Sequence, residues 1–390
     1  MLLADVARTS AEVAATSSRT RKVELLSACL AAAAPDEVAV VASYLSGELP
    51  QRRTGVGHRS LAGLPGPVDE PVLAILDVDL TFTRIAGCSG QGSTGERHRL
   101  LAGLFGRATA DEQRLLAGLV GGELRQGALE SVVTDAVARA AGLPLADVRR
   151  AVMLRGALAP VAEAVRRDGA SALAAFRLEV GRPVQPMLAS PATDVADAVE
   201  RLGEAAFEWK VDGIRVQVHR SGGDVRVFTR SLDDVTARVP ELVAAALALP
   251  AETLVLDGEA IALAGDGTPR PFQVTGARAA TRGARGPVPL TAFFFDVLHA
   301  DGADLLGAPG ADRWAVLEGV VPAAQRVPRV VTGDLGVARA FFDDAVARGH
   351  EGVVAKSLDV PYEAGRRGAA WLKVKPRHTL VVGQSESTAG

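Results

Sequence analysis

The chain has 390 residues, of which 48% are hydrophobic and 23% charged, and 43 basic against 46 acidic residues leave a net charge of −3. This composition belongs to a globular protein with room for two or three domains. It excludes a disordered chain and a uniformly basic nucleic-acid coat, though not a local positive groove. Only five of the basic residues are lysine, namely Lys22, Lys210, Lys356, Lys373 and Lys375. An amine can lose its proton and attack, whereas a guanidinium in a protein cannot, so each lysine invites a question. Cys29 and Cys88 are the only cysteines, which excludes a disulfide scaffold and a cysteine-rich zinc site. The N-terminus lacks a basic-then-apolar signal layout, and no apolar run reaches membrane-spanning length. A reduced, cytoplasmic protein without membrane contact is the expectation.

In chain order, the first part reads as helices. ELLSACLAAA, PDEVAVVASYLSGEL, ADEQRLLAGLVGGEL and LESVVTDAVARAAG carry apolar residues at three- and four-residue spacing. Pro35, Asp36 and Glu37 suit a helix start, with proline and acids in the first turn. PVLAILDVDL reads as a strand ahead of Gly90-Gln-Gly92-Ser-Thr-Gly95, which matches the G-x-G-x-x-G fingerprint. A dinucleotide fold needs a second strand ending in an acid about 20 residues later. Asp111 and Glu112 fall there but open a helix, so a plain loop is the simpler reading, or a loop whose N–H groups hold a phosphate. GRPVQPMLASPATD is rich in turn residues and reads as a linker or domain boundary. Beyond it, AFEWKVDGIRVQVHR, VRVFTR, TLVLDGEAIAL, LTAFFFDVLHA, GVVAKSL and WLKVKP read as strands. RWAVLEGVV and GVARAFFDDAVARG read as helices among them, giving a mixed α+β half.

The second half also holds the chemistry. Alternation places Glu208, Lys210 and Asp212 on one strand face, and Gly213 can turn the chain so that Arg215 returns to it. A solvated face of mixed charge is the plain alternative. The scarcity of lysine and the flanking carboxylates favour an amine set up for attack. Leu256-Asp257-Gly258-Glu259 offers carboxylates, and Phe293-Phe294-Phe295-Asp296 offers an aromatic run ending in an acid. Glu351 and Lys356 share one strand-like run. Lys373 and Lys375 stand at i and i+2, where two like charges are unfavourable unless an anion lies between them. Together these supply a nucleophile, a phosphate clamp, metal-binding carboxylates and an aromatic platform.

The ordered set K-x-D-G-x-R, D-G-E, F-D, E-G-V-V-x-K and W-L-K-x-K resembles the covalent nucleotidyltransferase superfamily, and within it the ATP-dependent DNA ligases of bacterial and archaeal type. The PVQPMLA stretch and the helical N-terminal region fit that group. The resemblance implies an all-α N-terminal DNA-binding domain followed by an α+β nucleotidyltransferase (adenylation) domain with antiparallel sheets. We expect these at residues 1–180 and 191–380, with a linker at 181–190 and a frayed tail at 381–390. It further implies that Lys210 attacks ATP to form lysyl-AMP, that AMP passes to the 5′-phosphate of a nick, and that the 3′-hydroxyl then expels it. Glu208 matches the position that reads the adenine amino group, and Phe295 the ring that stacks on the base. Glu259 corresponds to a carboxylate at the ribose or the metal, Glu351 to a metal-binding acid, and Mg²⁺ is the expected cation. Arg215 and Arg230 match arginines near phosphates, Arg367 (or its neighbour Arg366) another, and Lys373 and Lys375 neutralise the α-phosphate. Arg125, Gly90 and Gly92 are the expected DNA contacts. The implied partner is nicked duplex DNA, bound by a monomer.

Family members normally continue past the lysine pair into an OB-fold domain, whereas this sequence ends fifteen residues after Lys375. Absence of that domain is therefore the expectation, with ATP binding retained and self-adenylylation and ligation weak. An RNA ligase or capping-type guanylyltransferase shares the lysine motif, but the helical N-terminal region fits neither. A non-catalytic DNA-binding remnant of a ligase is the remaining alternative.

Overall fold

The computed structural model describes residues 1–124, 126, 130–280, 288–363 and 367–376. It divides into two compact units, Met1–Leu178 and Glu179–Gly390. Nine α-helices make up the described part of the first: α1 (Leu3–Ala14), α2 (Arg19–Ala32), α3 (Val38–Ser46), α4 (Ile75–Gly87), α5 (Ser93–Phe105), α6 (Ala110–Gly121), α7 (Glu130–Ala141), α8 (Leu145–Arg155) and α9 (Leu158–Asp168). Their apolar stripes meet in one core that includes Leu26, Val41, Phe82, Leu116 and Val161.

Local chemistry sets the ends of these helices. Thr109 accepts a hydrogen bond from the Glu112 N–H, and the Glu112 carboxylate accepts one from the Thr109 N–H, which completes a capping box on α6. Pro35-Asp36-Glu37 lies in a turn and α3 begins only at Val38, because the Glu37 carboxylate is engaged by the terminal amine and by the Ala34 N–H. The PVLAILDVDL run departs from the expected strand. It forms α4 rather than a strand, with Ile75, Val78, Phe82 and Ile85 buried at helical spacing. The glycine fingerprint therefore joins two helices, which removes the strand that a dinucleotide site requires.

The second unit has two five-stranded sheets. Its elements are β1 (Leu188–Pro191), α10 (Val195–Leu202), β2 (Ala205–Trp209), β3 (Ile214–Ser221), β4 (Asp224–Thr229), α11 (Pro240–Leu247), β5 (Thr253–Ala262), α12 (Phe272–Ala280), β6 (Leu290–Ala300), β7 (Ala303–Asp304), α13 (Gly310–Val320), β8 (Arg329–Thr332), α14 (Leu335–Ala347), β9 (Val353–Ser357) and β10 (Arg367–Val374). The first sheet runs β1-β10-β9-β2-β8 and the second β4-β3-β5-β6-β7. All neighbours are antiparallel except β1 and β10. α10 and α14 cover the first sheet through Val195, Ala198, Ala338 and Ala345. The second sheet buries Val218, Leu256 and Phe294 with Leu242 of α11 and Leu317 of α13.

Residues 181–190, which read as a linker from sequence, are tied into this unit. β1 pairs with β10, the Val184 N–H donates to Gln217 Oε1 at 2.8 Å, and the Met187 N–H donates to the Tyr362 hydroxyl at 2.9 Å. His219 is buried behind this segment, accepting from the Gly181 N–H at 3.0 Å while its other nitrogen meets Gln217 Oε1 at 2.8 Å. Burial, with His299 and Arg226 nearby, lowers its pKa to about 3.

Two measurements follow. A depressed histidine pKa favours the fold while the ring is neutral, so this stabilisation is full above the unfolded value of about 6.5 and fades as pH falls toward 3. The His219 ring resonances should therefore stay fixed between about pH 8 and 5, and a normal titration would contradict the burial. Thr109→Ala should destabilise the first unit by about 1 kcal/mol in chemical denaturation.

Candidate active site

The lysine motif bridges the two sheets rather than lying along one strand. β2 ends at Trp209 and β3 of the other sheet begins at Ile214, so Lys210 and Asp212 occupy the crossing and do not share a strand face with Glu208. Two backbone hydrogen bonds hold the crossing, from the Lys210 N–H to Gly352 O at 2.8 Å and from the Glu351 N–H to Lys210 O at 3.0 Å. Two glycines permit it. A Cβ on Gly213 would stand 2.3 Å from Ala260 O. One on Gly352, whose φ is +128°, would stand 2.1 Å from Val374 O.

This pairing sets which charges meet. The Lys210 ammonium contacts Glu351, which also holds Lys375. Burial alone would raise the Glu351 carboxyl, but these two lysines outweigh it and hold it below the ordinary range. The anion anticipated beside the lysine pair is thus supplied in part by the protein. Lys373 lies on β10, opposite Val354 of β9.

Glu208 faces inward from β2 and meets Lys356, which the sequence puts close to the nucleotide site without naming its contact. Lys356 of β9 approaches Glu208 Oε2 at 2.6 Å, and both residues are buried. Burial pushes the carboxyl up and the amine down, against the attraction between them. The same ammonium donates to Phe295 O at 3.0 Å and stands 4.5 Å from the Phe295 ring centroid and 4.3 Å from that of Trp371. Phe295 and Trp371 meet edge to face. Strand alternation in the aromatic run sends Phe294 into the core, whereas Phe295 is only partly buried.

Arg215 and Glu259 are opposite one another on β3 and β5. Arg215 donates to both Asp257 oxygens at 3.0 and 2.6 Å and to Met187 O at 2.6 Å, and Tyr362 donates to Asp257 at 2.7 Å. Burial works against the Arg215 charge, but Asp257 and Tyr362 outweigh it and raise its pKa. Glu259 keeps a partly exposed edge, yet burial pushes its carboxyl up to about 7, against the pull of Arg215 and Lys210. Glu259 and Glu351 are oxygen donors of the kind that magnesium accepts alongside phosphate and water. No cluster of three metal-ligating side chains exists among the described residues.

The remaining expected residues fall elsewhere. Arg230 stands exposed in the turn after β4. Arg367 opens β10, and Arg366 and Arg125 lie outside the described residues. Gly90 and Gly92 form an exposed turn with φ of +79° and +83°, and Gly92 caps the start of α5. Arg97 of α5 fastens the preceding stretch by donating to Cys88 O and Ile85 O. Sequence reasoning passed over the ion pairs that support the site. Arg313 donates to both oxygens of Asp296 at 2.8 and 3.0 Å, deeply buried beside the aromatic run. Asp257 and Lys356 stand inside the ordered motifs, so the sequence carries a signal for them, whereas Arg329 beside Glu208 belongs to no motif.

Comparison with known proteins shows which family the chain resembles. The family described as "ATP dependent DNA ligase domain" matches residues 186–375, and "DNA ligase N terminus" matches residues 63–138. A "Probable DNA ligase" of Anaeromyxobacter dehalogenans is 58% identical over 389 residues, covering 97% of this chain and 76% of that protein. One from a Nocardioides species is 57% identical over 387 residues, covering 97% and 75%. Among solved structures, "Pmar-Lig_PreS3" aligns with 95% of this chain and 78% of its own, at a TM-score of 0.58 and 17% identity, a likeness of fold.

Asp257→Ala should leave Arg215 charged and buried without its partner. We expect a loss of about 3–5 kcal/mol in unfolding free energy, measured by denaturant titration. A loss below about 1 kcal/mol would show that the pair is not a structural support.

Proposed function

The chain belongs to the ATP-dependent DNA ligase family, and from that premise we propose that Lys210 is its nucleophile. The observation that carries this reading is the fixed crossing, which sets Lys210 against Glu351 and Lys375. The Lys210 nitrogen attacks the α-phosphorus of ATP. A P–N bond forms, the bond to the β-phosphate oxygen breaks, the amine loses its proton and pyrophosphate leaves. A nick 5′-phosphate oxygen then displaces the lysine, and the 3′-hydroxyl finally attacks that 5′-phosphate, expelling AMP and closing the backbone.

The other residues bind and orient. Glu208 accepts from the adenine amino group and Phe295 packs on the base. Arg215 and Glu259 border the sugar and phosphates, and Arg230, Arg367, Lys373 and Lys375 complement phosphate charge. Glu259 and Glu351 would hold Mg²⁺, which when bound supplies charge neutralisation on the triphosphate. In the first unit, the N–H groups around Gly90 and Gly92 at the start of α5, together with Arg125, engage phosphates of nicked duplex DNA. Such transfer chemistry is governed by positioning and charge neutralisation, which a rigid crossing between two sheets provides.

Incubation with α-labelled ATP and magnesium should label the protein through a bond that survives denaturation in detergent, and Lys210→Ala should abolish the label. Undiminished labelling of the variant would remove Lys210 from this role. Preferential labelling by GTP would point instead to capping-type chemistry.

A further inference from the structure

Glu208 is an unusual base reader, because half of its carboxylate is already committed. Oε2 is engaged by Lys356 at 2.6 Å, whereas Oε1 is buried with no hydrogen-bond partner. Arg329 approaches Oε1 at 3.6 Å, beyond good hydrogen-bond distance. Arg329 is itself held over the Trp314 ring, 4.2 Å from its centroid. A small pocket opens among Glu208, Phe295, Arg329, Lys356 and Trp371. An unpartnered buried carboxylate oxygen costs free energy that a ligand donor can recover.

Lys356 cannot readily move away. Its ammonium is fixed at three points at once, by Glu208 Oε2, by Phe295 O and by the faces of Phe295 and Trp371. Each contact involves another wall of the pocket. β9 also pairs directly with β2, with Lys356 opposite Ala206 and Val354 opposite Glu208, so the amine and the carboxylate are joined through one ladder.

We propose that Lys356 is a positioning residue for base selection: by holding Oε2, it presents Oε1 as a fixed acceptor that selects a purine bearing a 6-amino group. In this proposal Lys356 acts through Glu208, which it contacts at 2.6 Å. It keeps Glu208 from rotating away. A 6-oxo purine would place oxygen against this acceptor, and a purine with hydrogen at C6 would leave it unpaired. The inference rests on the reading of Glu208 as the base contact given above.

The test measures equilibrium binding of ATP and of purine riboside triphosphate, which lacks the amino group, to the full chain and three variants. Lys356→Met should reduce the preference for ATP at least about tenfold, with Lys356→Arg restoring part of it. Circular dichroism and thermal unfolding identify variants that fold. If Lys356→Met does not fold, the arginine variant decides: a cation displaced from its three anchors should lower the preference measurably, and an unchanged preference overturns the proposal. Glu208→Gln separates the two levels. Loss of preference in Glu208→Gln with a wild-type preference in Lys356→Met refutes the positioning role alone. An unchanged preference in Glu208→Gln refutes the reading of Glu208 as the base contact, and the role of Lys356 with it.

Discussion

The pairing of Lys210 with the Glu351-Gly352 segment is the constraint on which the second unit's site depends. Those two backbone hydrogen bonds continue the β2–β9 ladder one step past its end, at the place where the chain leaves one sheet for the other. A ladder leaves little freedom of register, because a one-residue slip sends every side chain to the opposite face. Lys210 is therefore held beside Glu351, while Glu208, two residues earlier, is held beside Lys356. The two acid–amine pairs are products of a single register.

Around that register the unit holds an unusual amount of buried charge. Arg215 with Asp257, Arg313 with Asp296, and Lys356 with Glu208 are all withdrawn from solvent, and each pair joins separate strands or a strand and a helix. Such pairs contribute little net stability over an apolar core, but losing one member is costly. Their effect here is geometric. Each charge has one partner at short range, so a strand shifted out of place leaves an ion unpaired. Phe295, Trp371 and Tyr362 pack against one another and against the cations of these pairs.

Much of this was legible in the sequence. The helices of the first unit and most strands of the second follow from apolar periodicity, and the ordered motifs carried the resemblance to the family. What escaped depended on pairing between distant segments. Strand alternation put Glu208 and Lys210 together, but β2 ends between them, and periodicity does not show where a ladder stops. PVLAILDVDL has the β-branched and apolar content of a strand, yet its buried residues recur at helical spacing once packed against the core. Proline and glycine at 181–190 signalled an irregular segment. Its pairing with β10, nearly 180 residues onward, has no local signature.

That parallel pairing has a consequence for how the chain acquires its shape. In the first sheet β1 does not touch β2, because β10 and β9 lie between them. While the polypeptide emerges from the ribosome, β1 is made early and its partner late, so its edge stays unpaired until residues 367–374 have been released. The second sheet has no such gap among β3, β4, β5 and β6, and each of these strands finds a neighbour among those already made or soon to follow. The second sheet should therefore fold first during synthesis, and the first, whose β9 carries Lys356 and whose β10 carries Lys373, should close last.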